Sequence, residues 1–246
     1  MDYINRYSTW DDNNGDHRRI NKMKKYPKIS GLYPFNGELK QFDAIDGCAD
    51  RNVELLKNHM WLWSEKVDGT NIRLYWDGYD LYLKGRTDKS QFSADQEEYL
   101  LDNVATDALK HLIEQMFKEK EVYIYGELHG KNIQKVGKLY SEDYQFRVFD
   151  IEIDGIWLER HDVQDLCGQL GLKHVPYILE GTIGDAEDWV MENKFSTFSD
   201  APLEGLVGIP VGGFLDRQGK RIAVKVKYRD LKKTVNLLLY RNNGPR

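Results

Sequence analysis

Apolar and polar residues alternate in two neighbouring stretches of the chain. Residues 72–76 and 81–83 each have this period of two, and Asp77-Gly78 lies between them. Alternation on both sides of an Asp-Gly pair is typical of a β-hairpin, because this pair readily adopts the tight turn that joins antiparallel strands. An apolar run at 61–64 precedes the hairpin. The pattern therefore predicts a strand that leads directly into two antiparallel strands.

Helical periodicity is found between the predicted strands. Ser93 with Gln96 has the sequence of a capping box, which predicts the start of a helix, and apolar residues at helical spacing over 109–117 predict a second one. Further helices are predicted at about 161–170, followed by Gly171, and at about 185–194 and 230–240. Further strands are predicted at 122–126, 145–153, 156–158, 204–210 and 222–228. Strands joined mostly by hairpins, with helices inserted between them, predict an α+β fold built on antiparallel sheets.

The composition is that of a globular protein. The chain has 246 residues, of which 41% are hydrophobic, so one large domain over 1–246 is expected, with residues 1–30 as an N-terminal extension. No apolar stretch reaches the length of a membrane span, and the N-terminus lacks the apolar region of a signal peptide. Cys48 and Cys167 have no metal or redox spacing. Free thiols in a cytoplasmic or other reducing intracellular compartment are therefore expected, with a single disulfide as the less favoured alternative.

Charge gives a weaker indication of partners. The net charge of -5 argues against bulk attraction to nucleic acid, although it leaves room for a local basic groove. Clusters of Lys and Arg occur at 18–28 and 220–233. A solvated surface is the ordinary explanation of such clusters when each is considered alone, so charge does not identify a partner by itself.

Lys66 is the first candidate for chemistry. It follows the predicted strand at 61–64 and is followed closely by Asp68 and Gly69. A lysine on a tight turn can act as a nucleophile, and glycine permits a backbone path close to a ligand. Ordinary surface turns contain the same residues, so this segment alone does not establish a site.

Lys225 and Lys227 form a second candidate group. They lie two residues apart in a predicted strand, so both side chains project from one face. Two ammonium groups can bind phosphates and lower the pKa of a neighbouring lysine, which would activate that lysine for attack. The solvated face of an edge strand is the alternative interpretation of the pair.

Further polar residues lie at the ends of predicted strands. Glu127 and Glu204 are carboxylates in such positions, which suits a hydrated Mg²⁺ beside a phosphate site. Arg86 follows the hairpin, and its guanidinium could hold a phosphate or a ribose. Phe149, next to Asp150 in an alternating strand, could stack on a purine or belong to the core.

Taken in order, these segments resemble the five motifs of the covalent nucleotidyltransferase superfamily of ATP-dependent polynucleotide ligases and mRNA capping enzymes. The matching segments are Lys66–Asn71, Tyr125–Leu128, Phe146–Ile151, Glu204–Val207 and Val224–Lys227. All of them together, in the family's order over 66–227, are far more specific than any one alone. Asn71, Arg86 and the opening segment Lys25–Ile29 resemble the RNA ligase 2 type within this superfamily.

The resemblance implies an ATP-dependent RNA ligase in which Lys66 becomes covalently bound to AMP. It implies that Phe149 and Val207 enclose the adenine and that Glu65 contacts its edge through the backbone. The other implied roles are ribose and metal binding by Glu127, Mg²⁺ or Mn²⁺ binding by Glu204, phosphate binding by Lys225 and Lys227, and action on catalysis and the RNA ends by Asn71, Arg86 and Asp150.

The resemblance also implies the architecture and the partners. The fold would be an antiparallel-sheet adenylation domain of the ATP-grasp-like ligase type. The substrates would be ATP and RNA with 3′-hydroxyl and 5′-phosphate ends, nicked duplex RNA in particular, bound by a monomer with no membrane association. A viral source would suit this branch. Basic residues expected to hold the RNA are Lys22, Lys24, Lys25, Lys232 and Lys233.

Two features depart from the family pattern. Gly208-Ile209-Pro210 follows the fourth motif, where many relatives have a basic residue. The chain also ends soon after Lys227, so neither a C-terminal OB barrel nor a helical module is expected. A minimal ATP-dependent DNA ligase is one alternative, which the missing barrel weakens, and a module that binds RNA ends without sealing them is another. The complete set of motif residues argues against the second alternative.

Overall fold

Two five-stranded sheets form the framework of the computed structural model, which describes residues 23–37, 41–42 and 47–232. The strands are β1 (Ser30–Gly31), β2 (Phe35–Asn36), β3 (Gln41–Phe42), β4 (Trp61–Glu65), β5 (Thr70–Trp76), β6 (Leu81–Gly85), β7 (Val122–Gly130), β8 (Tyr144–Ile153), β9 (Ile156–Trp157), β10 (Tyr177–Gly181), β11 (Gly205–Pro210) and β12 (Val224–Lys227). The helices are α1 (Arg51–Leu55), α2 (Ala94–Asn103), α3 (Asp107–Phe117), α4 (Gly137–Tyr140), α5 (Arg160–Leu170) and α6 (Ile183–Glu192).

Each of the two sheets has five strands, but the strands are connected in a different order in each sheet. Sheet I has the order β1-β12-β11-β4-β10, and sheet II has the order β6-β5-β7-β8-β9. Neighbouring strands pair antiparallel, apart from β1 and β12, which run parallel. The short β2 and β3 pair with each other. The predicted α+β class with antiparallel sheets is confirmed.

Each sheet has its own hydrophobic cluster. In sheet II the alternating residues Ile72 and Leu74 are fully buried and pack with Leu100 of α2 and Ile113 of α3. In sheet I, Trp61 and Trp63 of β4 pack in a separate cluster with residues of α6. In β8 and β12 buried and half-buried residues alternate, which is the period of two expected for a strand with one face towards a core.

Local sequence signals predicted several elements correctly. The hairpin of β5 and β6 is formed, and both hydrogen bonds of the Ser93–Gln96 capping box are present. Gly171 ends α5 in the left-handed conformation, with φ of 68°. The predicted start of α6 was wrong by two residues, because a second capping box between Thr182 and Asp185 starts that helix at Ile183.

Other predictions were incomplete or lie outside the described residues. Neither α1 nor β10 was predicted from the sequence, and β7 continues to Gly130 beyond its predicted end. Residues 228–232 are helical, while the rest of the predicted helix at 230–240 lies outside the described residues. The N-terminal residues 1–22 lie outside them too. None of the helices in the described part of the chain has the length and apolar composition needed to cross a membrane.

Candidate active site

A cavity of about 340 Å³ opens between the two sheets. One wall is the end of β4 with β11 and β12, the opposite wall is formed by β5, β7 and β8, and the segment 26–29 closes one side. Its lining residues are Tyr26, Pro27, Lys28, Ile29, Ser64, Glu65, Lys66, Val67, Gly69, Thr70, Asn71, Arg86, Glu127, Phe149, Arg160, Val175, Val207 and Lys225. Eight of the residues predicted from the sequence are in this set, so segments far apart in the chain do meet. A cavity of this volume suits a nucleotide-sized ligand.

Lys66 lies at the cavity wall and is paired with a carboxylate. Its ammonium group donates to Glu204 Oε2 at 2.7 Å, and Lys227 donates to Glu204 Oε1, also at 2.7 Å. The pairing of β11 with both β4 and β12 brings the three residues to the same end of sheet I. Glu204 and Lys227 lie beside the cavity and do not form its wall among the described residues. Glu204 and Lys227 would therefore act on a bound ligand from beside Lys66, to which Glu204 is bonded.

The turn after Lys66 is held by residues of the segment that follows β7. The Asp68 N–H donates to the Tyr140 hydroxyl at 3.3 Å, and the side-chain amide of Gln134 donates to the Gly69 carbonyl at 3.1 Å. A Cβ atom at Gly69 would come within 2.3 Å of the Leu128 carbonyl oxygen. Glycine is therefore needed here for close approach to β7. The turn that carries Lys66 is thus fixed against sheet II.

Three carboxylates gather where this turn meets the two sheets. Burial raises the pKa of Glu127 to about 8, with Lys66 opposing that rise and Glu204 and Asp68 adding to it. Burial and the Glu204 carboxylate also raise the pKa of Asp68. Mutual repulsion of this kind marks a place where a cation would be stabilised.

The same carboxylates fit a hydrated divalent cation. They supply only oxygen donors, which Mg²⁺ and Mn²⁺ prefer, and Mg²⁺ usually binds one or two carboxylates and keeps several waters. The described residues contain no preformed group of three or more His, Cys, Asp or Glu side chains in metal-binding geometry. Glu204 and Glu127 would therefore hold a cation together with water and phosphate oxygens, and the cation would offset phosphate charge.

Other predicted residues line the cavity without an ionic partner. Lys225 and Arg86 form no ion pair among the described residues. Burial, then Lys227 and Lys66, lower the pKa of Lys225, since a positive charge is disfavoured close to two others. Asn71 lies opposite Glu127 in the β5–β7 pairing, and its buried side-chain oxygen has no hydrogen-bond partner.

The apolar end of the cavity contains the two residues predicted to enclose an adenine. Val207 of β11 and Phe149 of β8 both line it, and Tyr26 packs edge-on against Phe149 with ring centroids 4.9 Å apart. Glu65 is 2% exposed, and its Oε2 atom accepts from the N–H and the hydroxyl of Thr197. The Glu65 carboxylate is therefore engaged with Thr197, and the Glu65 backbone N–H donates to the Pro176 carbonyl at 2.9 Å. Contact of the Glu65 backbone with a base stays a prediction.

Asp150, which was predicted to act on the RNA ends, is a buried residue. It is fully buried, and it is not one of the described residues that line the cavity. Its carboxylate accepts from the Tyr26 hydroxyl at 2.6 Å and from Arg221 at 2.9 Å, and Arg160 lies 3.7 Å away. A buried carboxylate with two arginines supports the walls of the cavity, and the action of Asp150 on the RNA ends stays a prediction.

Two of the lysines predicted to hold RNA are exposed and have carboxylate partners. Lys24 is paired with Glu152, and Lys25 lies 3.3 Å from Asp88, so both have carboxylate partners. Lys232 is exposed, while Lys22 and Lys233 lie outside the described residues. No role in the site was predicted for four further residues, Tyr26, Lys28, Gln134 and Arg160. The segment Lys25–Ile29 was noted for its resemblance, but no signal marked the arginine or the glutamine.

Comparisons with known proteins agree with this geometry. The sequence family described as RNA ligase matches residues 59–227, more than half of the chain. An RNA ligase of Naegleria gruberi solved as a variant with AMP and manganese is similar with a TM-score of 0.57 and 21% identity, over 84% of this chain and 61% of that one. The same enzyme solved with pyrophosphate has a TM-score of 0.56 and 22% identity, over 86% and 62%. The comparison with curated proteins gave no match.

At such a low sequence identity, the structural similarity shows that this chain and these ligase structures share a fold. The chain spans about three fifths of the length of the solved structures that it matches.

Proposed function

Because the chain belongs to the RNA ligase family, we propose that it is an ATP-dependent RNA ligase that joins a 3′-hydroxyl to a 5′-phosphate through a lysyl-AMP intermediate on Lys66. The observation that carries this proposal is the position of the Lys66 amine, which is paired with Glu204 at the wall of a nucleotide-sized cavity that Lys225 and Arg86, unpaired among the described residues, also line. Nicked duplex RNA is the substrate that the family resemblance favours.

The first step is attack of Lys66 on ATP. After releasing Glu204 and losing a proton, the Lys66 nitrogen forms a bond to the α-phosphorus, while the bond to the β-phosphate oxygen breaks and pyrophosphate leaves. Phe149 and Val207 would hold the adenine, and Lys225 and Lys227 would offset charge on the phosphates. Phe149, Val207 and Lys225 line the cavity, and Lys227 reaches the same region through Glu204.

The second and third steps use the same cavity. An oxygen of the RNA 5′-phosphate attacks the phosphorus of lysyl-AMP, so that AMP passes to the RNA end and the Lys66 amine is restored. The RNA 3′-hydroxyl then attacks the 5′-phosphorus of the activated end, and AMP leaves. Arg86 and Asn71 line the cavity near the carboxylates and would bind these phosphates.

A nick-sealing assay tests the proposal. Duplexes with one 5′-phosphate nick would be made with either RNA or DNA on the 3′-hydroxyl side and incubated with ATP and Mg²⁺. We expect joined product when RNA provides the 3′-hydroxyl and little product when DNA does. Equal sealing of both would instead support a DNA ligase, and binding of RNA ends without any product would support a non-sealing module.

A further inference from the structure

Lys28 is a positively charged residue of the cavity wall. It belongs to none of the five family motifs and has no role in the mechanism above. It lines the cavity together with Lys225 and Arg86, and none of the three forms an ion pair among the described residues. Lys66, by contrast, is paired with Glu204, and Arg160 bonds to the Phe149 carbonyl and lies near Asp150. Three unpaired cations around one cavity leave a surplus of positive charge that a polyphosphate would balance.

The backbone on both sides of Lys28 is anchored. Arg73 donates to the carbonyls of Met23 and Lys24, each at 3.2 Å, and the Tyr26 hydroxyl is bonded to the buried Asp150. Beyond Lys28, Ser30–Gly31 pairs in parallel with Val224–Lys225. The exposed ammonium group of Lys28 is therefore presented from a fixed segment, which lowers the entropy lost when it binds a ligand.

Two carboxylates on the other side of Lys28 are engaged with their own loops. Lys28 also borders a small depression that contains Asp50 and Asp216. Asp50 accepts from the Asn52 N–H at the start of α1, and Asp216 accepts from the N–H groups of Gln218 and Lys220. Neither side chain is paired with Lys28, so its charge remains available to a ligand in the cavity.

The strand order gives the direction in which Lys28 lies from Lys66. Along sheet I, Lys66 follows β4, Lys225 lies on β12, and Lys28 leads into β1 at the sheet edge. Because β11 lies between β4 and β12, and Ser30 of β1 pairs with Val224, Lys225 lies between Lys66 and Lys28 both across and along sheet I. The three lysines therefore form a diagonal row that leads away from the nucleophile. The positive charge of Lys28 also contributes to the lowered pKa of Lys225. A triphosphate with its α-phosphate at Lys66 could extend along this row.

We propose that Lys28 binds the β- and γ-phosphates of ATP, the part that leaves as pyrophosphate. The segment 26–29 would then bind the nucleotide as well as line the cavity. This inference rests on the proposed function, because it takes ATP as the ligand. It adds a residue from outside the five motifs and makes the anchored N-terminal segment part of the first step.

Equilibrium binding of nucleotides tests the proposal without any chemical step. In the full chain carrying Lys66→Ala, which cannot form lysyl-AMP, affinities for ATP and AMP would be measured with Mg²⁺. Adding Lys28→Ala should weaken ATP about tenfold, as expected for one charge-assisted contact, and leave AMP within about twofold. Lys28→Arg should retain most ATP affinity. Lys120→Ala, an exposed lysine before β7, is the matched control and should change neither affinity.

A second arm separates ATP from the RNA 5′-phosphate as the source of the bound phosphate. Sealing of RNA that already carries AMP on its 5′ end bypasses ATP, so Lys28→Ala alone should seal it within about twofold of the unmodified chain. Loss of sealing with unchanged ATP affinity would overturn the proposal, and so would equal loss of ATP and AMP affinity. If the Lys66→Ala chain binds no ATP at all, the proposed function itself fails. If it binds ATP equally well with and without Lys28, only the present inference fails.

Discussion

The carboxylate of Glu204 holds two ammonium groups at once. Lys66 and Lys227 each lie 2.7 Å from one of its oxygens, and the side chain is 19% exposed. A ligand that draws either lysine away must therefore replace a charge-assisted hydrogen bond. The resemblance predicted all three residues as parts of one site, but not this bridge, because it depends on how β11 aligns with both of its neighbours.

Glu204→Ala should suppress adenylation by about a hundredfold or more, because it leaves positive charges unbalanced and removes the proposed cation ligand. The side chain is partly exposed, so the free energy of unfolding should change by only about 1 kcal/mol. The measurement is the rate of label transfer from ATP, alongside a denaturation curve. Glu142→Ala, at an exposed carboxylate, serves as the control. A Glu204→Ala chain that adenylates as fast as the control would remove Glu204 from the mechanism.

Residue identity predicted much less about the partners of charged side chains. Asp150 was expected to act on the RNA ends, yet it lies in a buried cluster with Arg160 and Arg221. Lys24 and Lys25 were expected to hold RNA, yet both face carboxylates. A sequence shows the charge of a side chain but not its partner, and the partner decides whether that charge is free to bind a ligand.

The turn between β4 and β5 shows how elements depend on one another. It carries Lys66, packs Val67 against Tyr140, and is bonded by Gln134 of the segment after β7. Alternation predicted the strands on both sides of this turn. It could not predict the supporting segment, in which Lys131 and Gln134 have φ values of 43° and 55°, because non-glycine residues rarely adopt this conformation and give no sequence signal.

Gly69→Ala should displace this turn, because the new Cβ would lie 2.3 Å from the Leu128 carbonyl oxygen. We expect a stability loss of about 1–3 kcal/mol and an adenylation rate lowered about tenfold or more, since small displacements of a nucleophile are costly. Thermal unfolding and label transfer measure the two effects. Gly168→Ala is the matched control: its Cβ would meet nothing within 4 Å, and a helical alanine should stabilise the chain by about 0.5–1 kcal/mol. Wild-type adenylation by Gly69→Ala would show that the close approach to β7 is unimportant.

Strand β10 illustrates a different limit of sequence reasoning. Its residues are mostly half-buried or exposed, and it forms the edge of sheet I against β4. A short edge strand needs no continuous alternation of apolar and polar residues, because it pairs with a neighbouring strand on one side only. Longer elements with one buried face, such as β8 and α3, were predicted because burial imposes a period on them.

Across the molecule, the two sheets are joined through the cluster around Asp150. Tyr26 comes from the segment that leads to β1, Arg221 from the β11–β12 connection, and Arg160 from the start of α5. Arg221 also lies over the ring of Trp157, 4.9 Å from its centroid. The α+β class could be predicted from the pattern of strands and helices. The strand order could not, because pairing between distant segments leaves no local trace in the sequence.

Asp150→Ala should destabilise the whole fold, because it leaves two buried arginines without their shared carboxylate. Breaking a buried ion pair by removing one partner costs about 3–5 kcal/mol. Chemical denaturation measures this loss, and Asp162→Ala, an exposed carboxylate in the first turn of α5, should change stability by less than about 1 kcal/mol. If Asp150→Ala matches its control in stability while adenylation or sealing is lost, the originally predicted catalytic role would be supported.

The central claim is that Lys66 becomes covalently bound to AMP. Incubation with α-labelled ATP and Mg²⁺, followed by denaturing electrophoresis, measures that bond directly. The unmodified chain and Lys120→Ala should retain label. Lys66→Ala should retain none, because it lacks the amine, and neither should Lys66→Arg, because a guanidinium stays protonated and is a poor nucleophile. Label on Lys66→Ala at the level of the unmodified chain, or no label on the unmodified chain, would contradict the account.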